Sequence, residues 1–245
     1  MSCTAVIIQA RMGSSRLPAK VMRDLGGRPV LEHVLRRCQN IPNADTVVCA
    51  VPEGPENDPI VSLCEAREIV VVRGDESDVL GRYHKAAMAV KADVILRVTS
   101  DCPLIDFEVC DAVLTLREQE NSNYACNNMP PSFPHGLDCE AFTMTALDMA
   151  HRQANTAHQR EHVTPWLRQN STVSRTALSG PGGSVTDHRW TLDYPEDLDF
   201  FQALFAHIVG DPTTLNYRAI LKVLDSNPTL NTINSNHRGV SRPHV

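Results

Sequence analysis

Short apolar runs alternate with amphipathic stretches through the first half of the chain. "TAVIIQA" (4–10), "DTVVCAV" (45–51), "IVVV" (69–72) and "DVILRVT" (93–99) are compact, nearly uniform apolar runs and predict buried strands. Between them, residues 29–40, 58–68 and 78–92 repeat their apolar positions at helical spacing. Pro29 suits a first helical turn, and Asp58 followed by Pro59 opens the second helix. A further helix is predicted over 107–119. Strands and helices in this alternation predict an α/β fold, with a mostly parallel sheet flanked by helices and joined by right-handed crossovers. Such sheets bind ligands beyond the carboxyl ends of their strands. The loop 11–19 follows the first strand and "SDCPLID" (100–106) follows the fourth, so both belong to that edge.

The pattern changes after residue 120. "NYACNNMPPSFPHG" (123–136) is irregular and Pro-rich, whereas "LDCEAF" (137–142) alternates like a strand and places Asp138 and Glu140 on one face. Helices are predicted at 144–154 and 159–170, and strands at 172–178 and 188–192 flank the Gly-rich "SGPGGS". Two more helices are predicted at 194–208 and 216–225. The division expected is one domain over 1–228, in which residues from about 120 to 185 form an α+β insertion that completes the sheet and adds a flap. The Asn/Ser-rich tail, 229–245, is expected to be mobile or bound to a partner.

At 245 residues the chain can bury a sizeable core. No apolar run approaches the ~18 residues of a membrane span, and the N-terminus lacks a basic-then-apolar leader, so a cytoplasmic location is expected. The eight cysteines contain no C-x-x-C pair and are expected to be reduced and mostly buried. The net charge of −6 disfavours nonspecific nucleic-acid binding. Residues 1–40, however, carry seven Lys/Arg against two acids. Arg36 and Arg37 read as a solvated helix face. The remaining cations of this basic end imply a small anionic ligand.

"IIQARMGSSRLPAK" (7–20) is where that ligand fits. Gly13, Ser14 and Ser15 allow close backbone approach to phosphate oxygens, and Arg11, Arg16 and Lys20 supply charge. The spacing is not that of a Walker loop, because Ala19 precedes Lys20 and Val21 follows it. Asp101 and Asp193 each follow a predicted strand directly and are placed to hold Mg²⁺ against phosphate. Asp106 reads as a helix cap, and Glu196 and Asp197 as first-turn acids that complement a helix dipole. "HQREH" (158–162) fits the H-x-x-E-H zinc-peptidase pattern, but that reading indicates no third ligand and leaves the phosphate features unexplained.

Taken in order, "IIQARMGSSRLPAK", "RVTSDCPLID", "PHGLDCEAF", "REHVTP" and "RWTLDYPEDL" resemble the cytidylyltransferase family, which includes the synthetases of CMP-Kdo and CMP-sialic acid. The likeness is greatest to the branch called spore coat polysaccharide biosynthesis protein F-like, and it runs over about residues 4–205. The resemblance implies a nucleotide-diphospho-sugar transferase-like (Rossmann-like) nucleotidyltransferase domain, CTP as donor, Mg²⁺ and a homodimer; the acceptor is expected to be an acidic sugar or related molecule, but the acceptor-side motifs differ from those of the Kdo and sialate enzymes, so their sugars are not carried over. Carried over by position, Arg11, Ser15, Arg16 and Lys20 hold the triphosphate, with Ala10, Gly13, Ser14 and Ser100 beside it. Lys20, Arg11 and Asp101 are the catalytic candidates, Asp101 and Asp193 the metal ligands, and Asp78 and Arg82 the groups that read cytosine. His135, Asp138, Glu140, Arg160, Glu161 and His162 face the acceptor. The chain departs from the sugar-acid synthetases at Ser100 and Ala19, where they carry Gly. Two other readings are a glycosyltransferase that uses a nucleotide sugar, which "SDC" disfavours for want of D-x-D, and a nucleotide-binding regulator without turnover.

Overall fold

The computed structural model describes residues 2–239. In chain order the strands are β1 (Thr4–Gln9), β2 (Asp24–Leu25), β3 (Arg28–Pro29), β4 (Thr46–Pro52), β5 (Val70–Gly74), β6 (Val94–Thr99), β7 (Tyr124–Cys126), β8 (Glu140–Thr143) and β9 (Arg175–Ala177). The α-helices are α1 (Val30–Gln39), α2 (Asp58–Glu65), α3 (Val79–Ala89), α4 (Phe107–Gln119), α5 (Met144–Gln153), α6 (Ala157–His162), α7 (Pro165–Gln169), α8 (Pro195–Ala206) and α9 (Tyr217–Ser226). Seven strands form one sheet in the order β5-β4-β1-β6-β8-β7-β9. The first four are parallel, β8 runs antiparallel to β6 and β7, and β9 is parallel to β7.

Both faces of the parallel strands are covered, which is why their central positions are mostly apolar. Val6, Ile8, Cys49, Leu96 and Val98 pack under α1, α2, α4, α8 and α9. Ala5, Ile7, Val48, Ala50 and Ile95 pack under α3, α5 and α7. Ile7 and Ile8 are fully buried, and each such side chain contributes about 1.5–3 kcal/mol of transfer free energy. All eight cysteines are free thiols and seven are buried. Asp106 caps α4 by accepting the Val109 amide at 2.9 Å.

Five expectations are corrected. Residues 188–192 form no strand, only an isolated bridge between His135 and Arg189. Trp190 N donates to His135 O at 2.6 Å and Leu192 N to Asp101 O at 2.8 Å, so the segment changes partner along its length and cannot extend a ladder. Gly136 makes this crossing possible: its φ is +112°, and a Cβ there would lie 2.2 Å from Trp190 O. The expected strand 172–178 is reduced to Arg175–Ala177. The single helix expected over 159–170 is two, broken at Val163, whose φ is +70°. There Thr164 N donates to His162 O at 2.8 Å in a γ-turn, and Pro165 restarts the chain as α7.

Arg37 is not on a solvated face but 1% exposed. It donates to Ile105 O at 3.2 Å, Leu215 O at 3.0 Å and Pro212 O at 2.7 Å, tying α1 to the approach of α9. Residues 229–239 are not a loose tail either. They fold as 3₁₀ turns over Pro228–Thr232 and Ser235–His237 with Leu230 buried, and residues 240–245 lie outside the described part.

The α9 approach also carries a pH-sensitive contact. Burial alone would raise the Asp211 carboxyl, but hydrogen bonds from Thr213 and Arg28 pull it down to about 2. A carboxyl lowered on folding contributes stability above its unfolded pKa of about 3.9 and loses it as pH falls through the folded value. Stability is therefore expected to fall between about pH 4 and pH 2. Urea midpoints across that window should decline less steeply for Asp211→Asn than for the wild type.

Candidate active site

A cavity of about 420 Å³ opens at the carboxyl ends of β1 and β6. The opening loop forms one wall. Its Met12 amide donates to Asn57 Oδ1 at 3.0 Å, and Asn57 is buried at the start of α2, so the loop is pinned from beneath. Ala10, Arg11, Gly13, Ser14, Ser15, Arg16 and Lys20 all line the cavity. Ala19 has φ +54° and begins the 3₁₀ turn that presents Lys20. A left-handed conformation costs a non-glycine residue about 1 kcal/mol.

The centre of the site is one ammonium held by two carboxylates. Lys20 Nζ lies 2.7 Å from Asp101 Oδ2 and 2.8 Å from Asp193 Oδ1. Asp101 comes from the loop after β6 and Asp193 from the residue before the α8 turn, so the two acids meet only in the fold. Arg16 adds a contact to Asp193 Oδ1 at 3.1 Å, and Arg189 one to Asp193 Oδ2 at 3.4 Å. Burial works against charge on Lys20, but the neighbouring Asp101 and Asp193 outweigh it and hold the ammonium above its ordinary pKa. Burial likewise opposes the Asp101 carboxylate, and the charge and hydrogen bond of Lys20 hold it well below the usual carboxylate range. Cys102 also lines the cavity, yet burial and the Asp101 charge push its thiol well up, which leaves it no nucleophile.

His135, Asp138, Glu161, His162 and Asn128 also line the cavity. Asp138 Oδ2 accepts the Gly136 amide at 3.2 Å. Burial, then the nearby His158, hold His162 below the usual histidine range, so its imidazole is neutral at pH 7.

The cytidylyltransferase family profile matches residues 5–203, which include the basic loop and both carboxylates. The chain belongs to the cytidylyltransferase family. It is 35% identical over 241 residues to an uncharacterized protein of Methanocaldococcus jannaschii, covering 98% of this chain and 97% of that one. It is 31% identical over 229 residues to the spore coat polysaccharide biosynthesis protein SpsF of Bacillus subtilis, covering 91% of this chain and 94% of the relative. A solved cytidylyltransferase from Leptospira borgpetersenii superposes with a TM-score of 0.88 at 26% identity, covering 94% of this chain and 97% of that one. The mostly parallel sheet with flanking helices is the Rossmann-like nucleotide-diphospho-sugar transferase fold. Membership implies nucleotidyltransferase activity.

Three of the residues expected at the site of this cytidylyltransferase do not line its cavity. Asp78 caps α3, accepting the Gly81 amide at 2.8 Å, and pairs with Arg160. Arg160 in turn donates to His151 O at 2.8 Å, so this pair joins α3, α5 and α6. Glu140 begins β8, 1% exposed, and accepts from Arg97 at 2.6 Å, from Arg168 at 2.7 Å and from the Tyr124 hydroxyl. Only Asp138 of the alternating acid pair reaches the cavity, because the strand starts at Glu140. Arg82 and Ser100 do line it, and Arg82 is anchored by Glu76 O at 2.8 Å.

Several lining residues escape the sequence reading. Arg97, Thr99, Arg189, Thr191 and Tyr194 all belong to motifs quoted above, and being part of them is their only sequence signal. Among the described residues no group of three or more His, Cys, Asp or Glu is arranged for a metal, and His158 stacks edge-on against His162 at 4.5 Å. Among the described residues no helix is long and apolar enough to cross a membrane.

Proposed function

We propose that this cytidylyltransferase transfers CMP from CTP to an acidic sugar or related acceptor and releases pyrophosphate, in surface glycan or related biosynthesis. The observation that carries the reading is the Lys20 ammonium shared by Asp101 and Asp193 beneath a basic loop. The hydroxyl oxygen of the acceptor attacks the α-phosphorus and gives up its proton to solvent; the new P–O bond forms as the bond to the β-phosphate oxygen breaks in line, and pyrophosphate leaves with that electron pair. Arg11, Arg16 and Lys20 offset its growing charge, and the serines and backbone of the loop hold the triphosphate in place.

Two carboxylates aimed at one cation are hard oxygen donors with a common focus. They fit Mg²⁺, which uses few protein carboxylates, and Asp101 and Asp193 would hold it. Such an ion, when bound, neutralises phosphate charge and orients the reacting oxygens. A homodimer and a cytoplasmic location belong to the same proposal and rest on the family likeness.

Calorimetry with CTP, UTP, ATP and GTP, with and without Mg²⁺, tests the donor half on wild type and Lys20→Ala. CTP-selective, Mg²⁺-enhanced binding that weakens at least about tenfold in Lys20→Ala is expected. No triphosphate binding, or preference for a nucleoside diphosphate sugar, would replace the proposal with the glycosyltransferase reading. CTP binding without pyrophosphate release over a broad panel of acidic sugars would favour a regulator.

A further inference from the structure

Asp193 owes its position to a fully buried carboxylate behind it. Asp197 is 0% exposed and accepts the amides of Asp193 at 3.0 Å and Tyr194 at 3.1 Å. It also binds Arg189 through both oxygens, at 2.8 and 2.9 Å, and Arg189 reaches on to Asp193 Oδ2 at 3.4 Å. Asp193 is therefore held twice, through its backbone by Asp197 and through its carboxylate by Arg189. A buried carboxylate persists only while its oxygens are satisfied.

The last donor to Asp197 comes from outside the stretch matched to the family. Asn234 sits between the two C-terminal 3₁₀ turns, 2% exposed. Its Nδ2 donates to Asp197 Oδ1 and to the Arg189 carbonyl, each at 3.0 Å. Three residues on, the His237 ring stacks on Tyr194 at 3.9 Å with 2° between planes. Tyr194 lines the cavity, and the Arg16 guanidinium lies 4.8 Å from its ring centre. The C-terminal segment thus touches the site at two separate points.

We infer that Asn234 is a positioning residue for the active site: its amide locks Asp197 and Arg189, which aim Asp193 at the cation shared with Asp101. The inference rests on the proposed use of CTP and Mg²⁺. Without the amide, Asp197 Oδ1 and the Arg189 carbonyl each lose a donor in a place closed to bulk water, and Arg189 can shift. Catalytic groups need placement within about 0.5 Å, so a small shift is felt at Asp193. Removing a direct outer-shell partner of a metal ligand costs roughly 10–100-fold in metal affinity, and Asn234, which reaches Asp193 only through Asp197 and Arg189, is expected at the low end of that range.

The test is the gain in CTP affinity on adding Mg²⁺, measured by calorimetry alongside thermal unfolding. Asn234→Ala is expected to keep Mg²⁺-free CTP affinity within about twofold and to lose at least about tenfold of the Mg²⁺-dependent gain. Leu230→Ala loosens the apolar anchor of the same segment and leaves the amide in place. It is expected to lower the unfolding temperature at least as much while retaining the gain. An unchanged gain in Asn234→Ala, or an equal loss in Leu230→Ala, overturns the inference. If Asn234→Ala does not fold, Asn234→Ser, too short to reach both acceptors, is read by the same criteria. A wild type with no Mg²⁺-dependent gain overturns the CTP and Mg²⁺ reading itself, and the inference with it.

Discussion

Asp101→Asn is expected to give a folded protein with no detectable nucleotidyl transfer. The substitution preserves volume and removes a charge at the point where Asp101 Oδ2 meets Lys20 at 2.7 Å. Lys20 keeps Asp193 at 2.8 Å, so its buried ammonium stays paired and the fold survives. The lost charge-assisted hydrogen bond costs about 1.5–3 kcal/mol, a drop of roughly 3–12 °C in a chain of this size. Activity suffers more, because the amide is a poor metal ligand and no longer sets the charge balance around the phosphates. Loss of such an electrostatic group lowers turnover by roughly three orders of magnitude or more. Pyrophosphate release with CTP, Mg²⁺ and a panel of acidic sugars, beside circular dichroism, makes the comparison with wild type. Wild-type rates in the variant would sink the assignment of Asp101 to the metal.

Glu140→Gln is expected to have the opposite profile, with a large loss of stability. Glu140 neutralises Arg97 and Arg168 where both are buried, with the Tyr124 hydroxyl on the same carboxylate. Gln keeps the shape but leaves two guanidinium groups without their counter-ion. Breaking a buried pair from one side costs about 3–5 kcal/mol. Spread over a chain of this length, that lowers the unfolding temperature by roughly 6–20 °C. Scanning calorimetry at neutral pH reads it directly. A variant that unfolds within about 2 °C of wild type yet loses acceptor turnover would return Glu140 to the acceptor-binding role that the family likeness implies.

Glu140 also marks where the sequence stops being legible. In "LDCEAF" two acids alternate, and alternation says only that they share a face. Whether that face meets a cavity or a buried arginine depends on what β6 and α7 bring across. Arg97 and Arg168 are remote from Glu140 in the chain, and no local pattern announces them. Arg37 teaches the same point: helical periodicity puts it beside Arg36, which is half-buried against Glu32, and only the docking of the α9 approach supplies the carbonyls that bury Arg37. Asp197 is legible as a helix first-turn acid, which it is. Its second role waits on Asn234, 37 residues away.

The sequence by itself determined the alternation of strands and helices, the parallel core of β5, β4, β1 and β6, and the family, through motifs that sit at strand ends. These are properties of local spacing: apolar runs short enough for strands, helical repeats between them, and loops whose Gly, Ser, Arg and Lys are adjacent in the chain. The tertiary structure alone decided that the Lys20 ammonium lies between the two carboxylates expected at one metal, that Asp78, Arg160 and Glu140 stand outside the cavity, and that residues 229–239 pack behind the site. Each of these is a pairing of charges or buried amides across long stretches of chain. Its free energy depends on distance and burial, and both come into being only when the sheet and its two helical layers close.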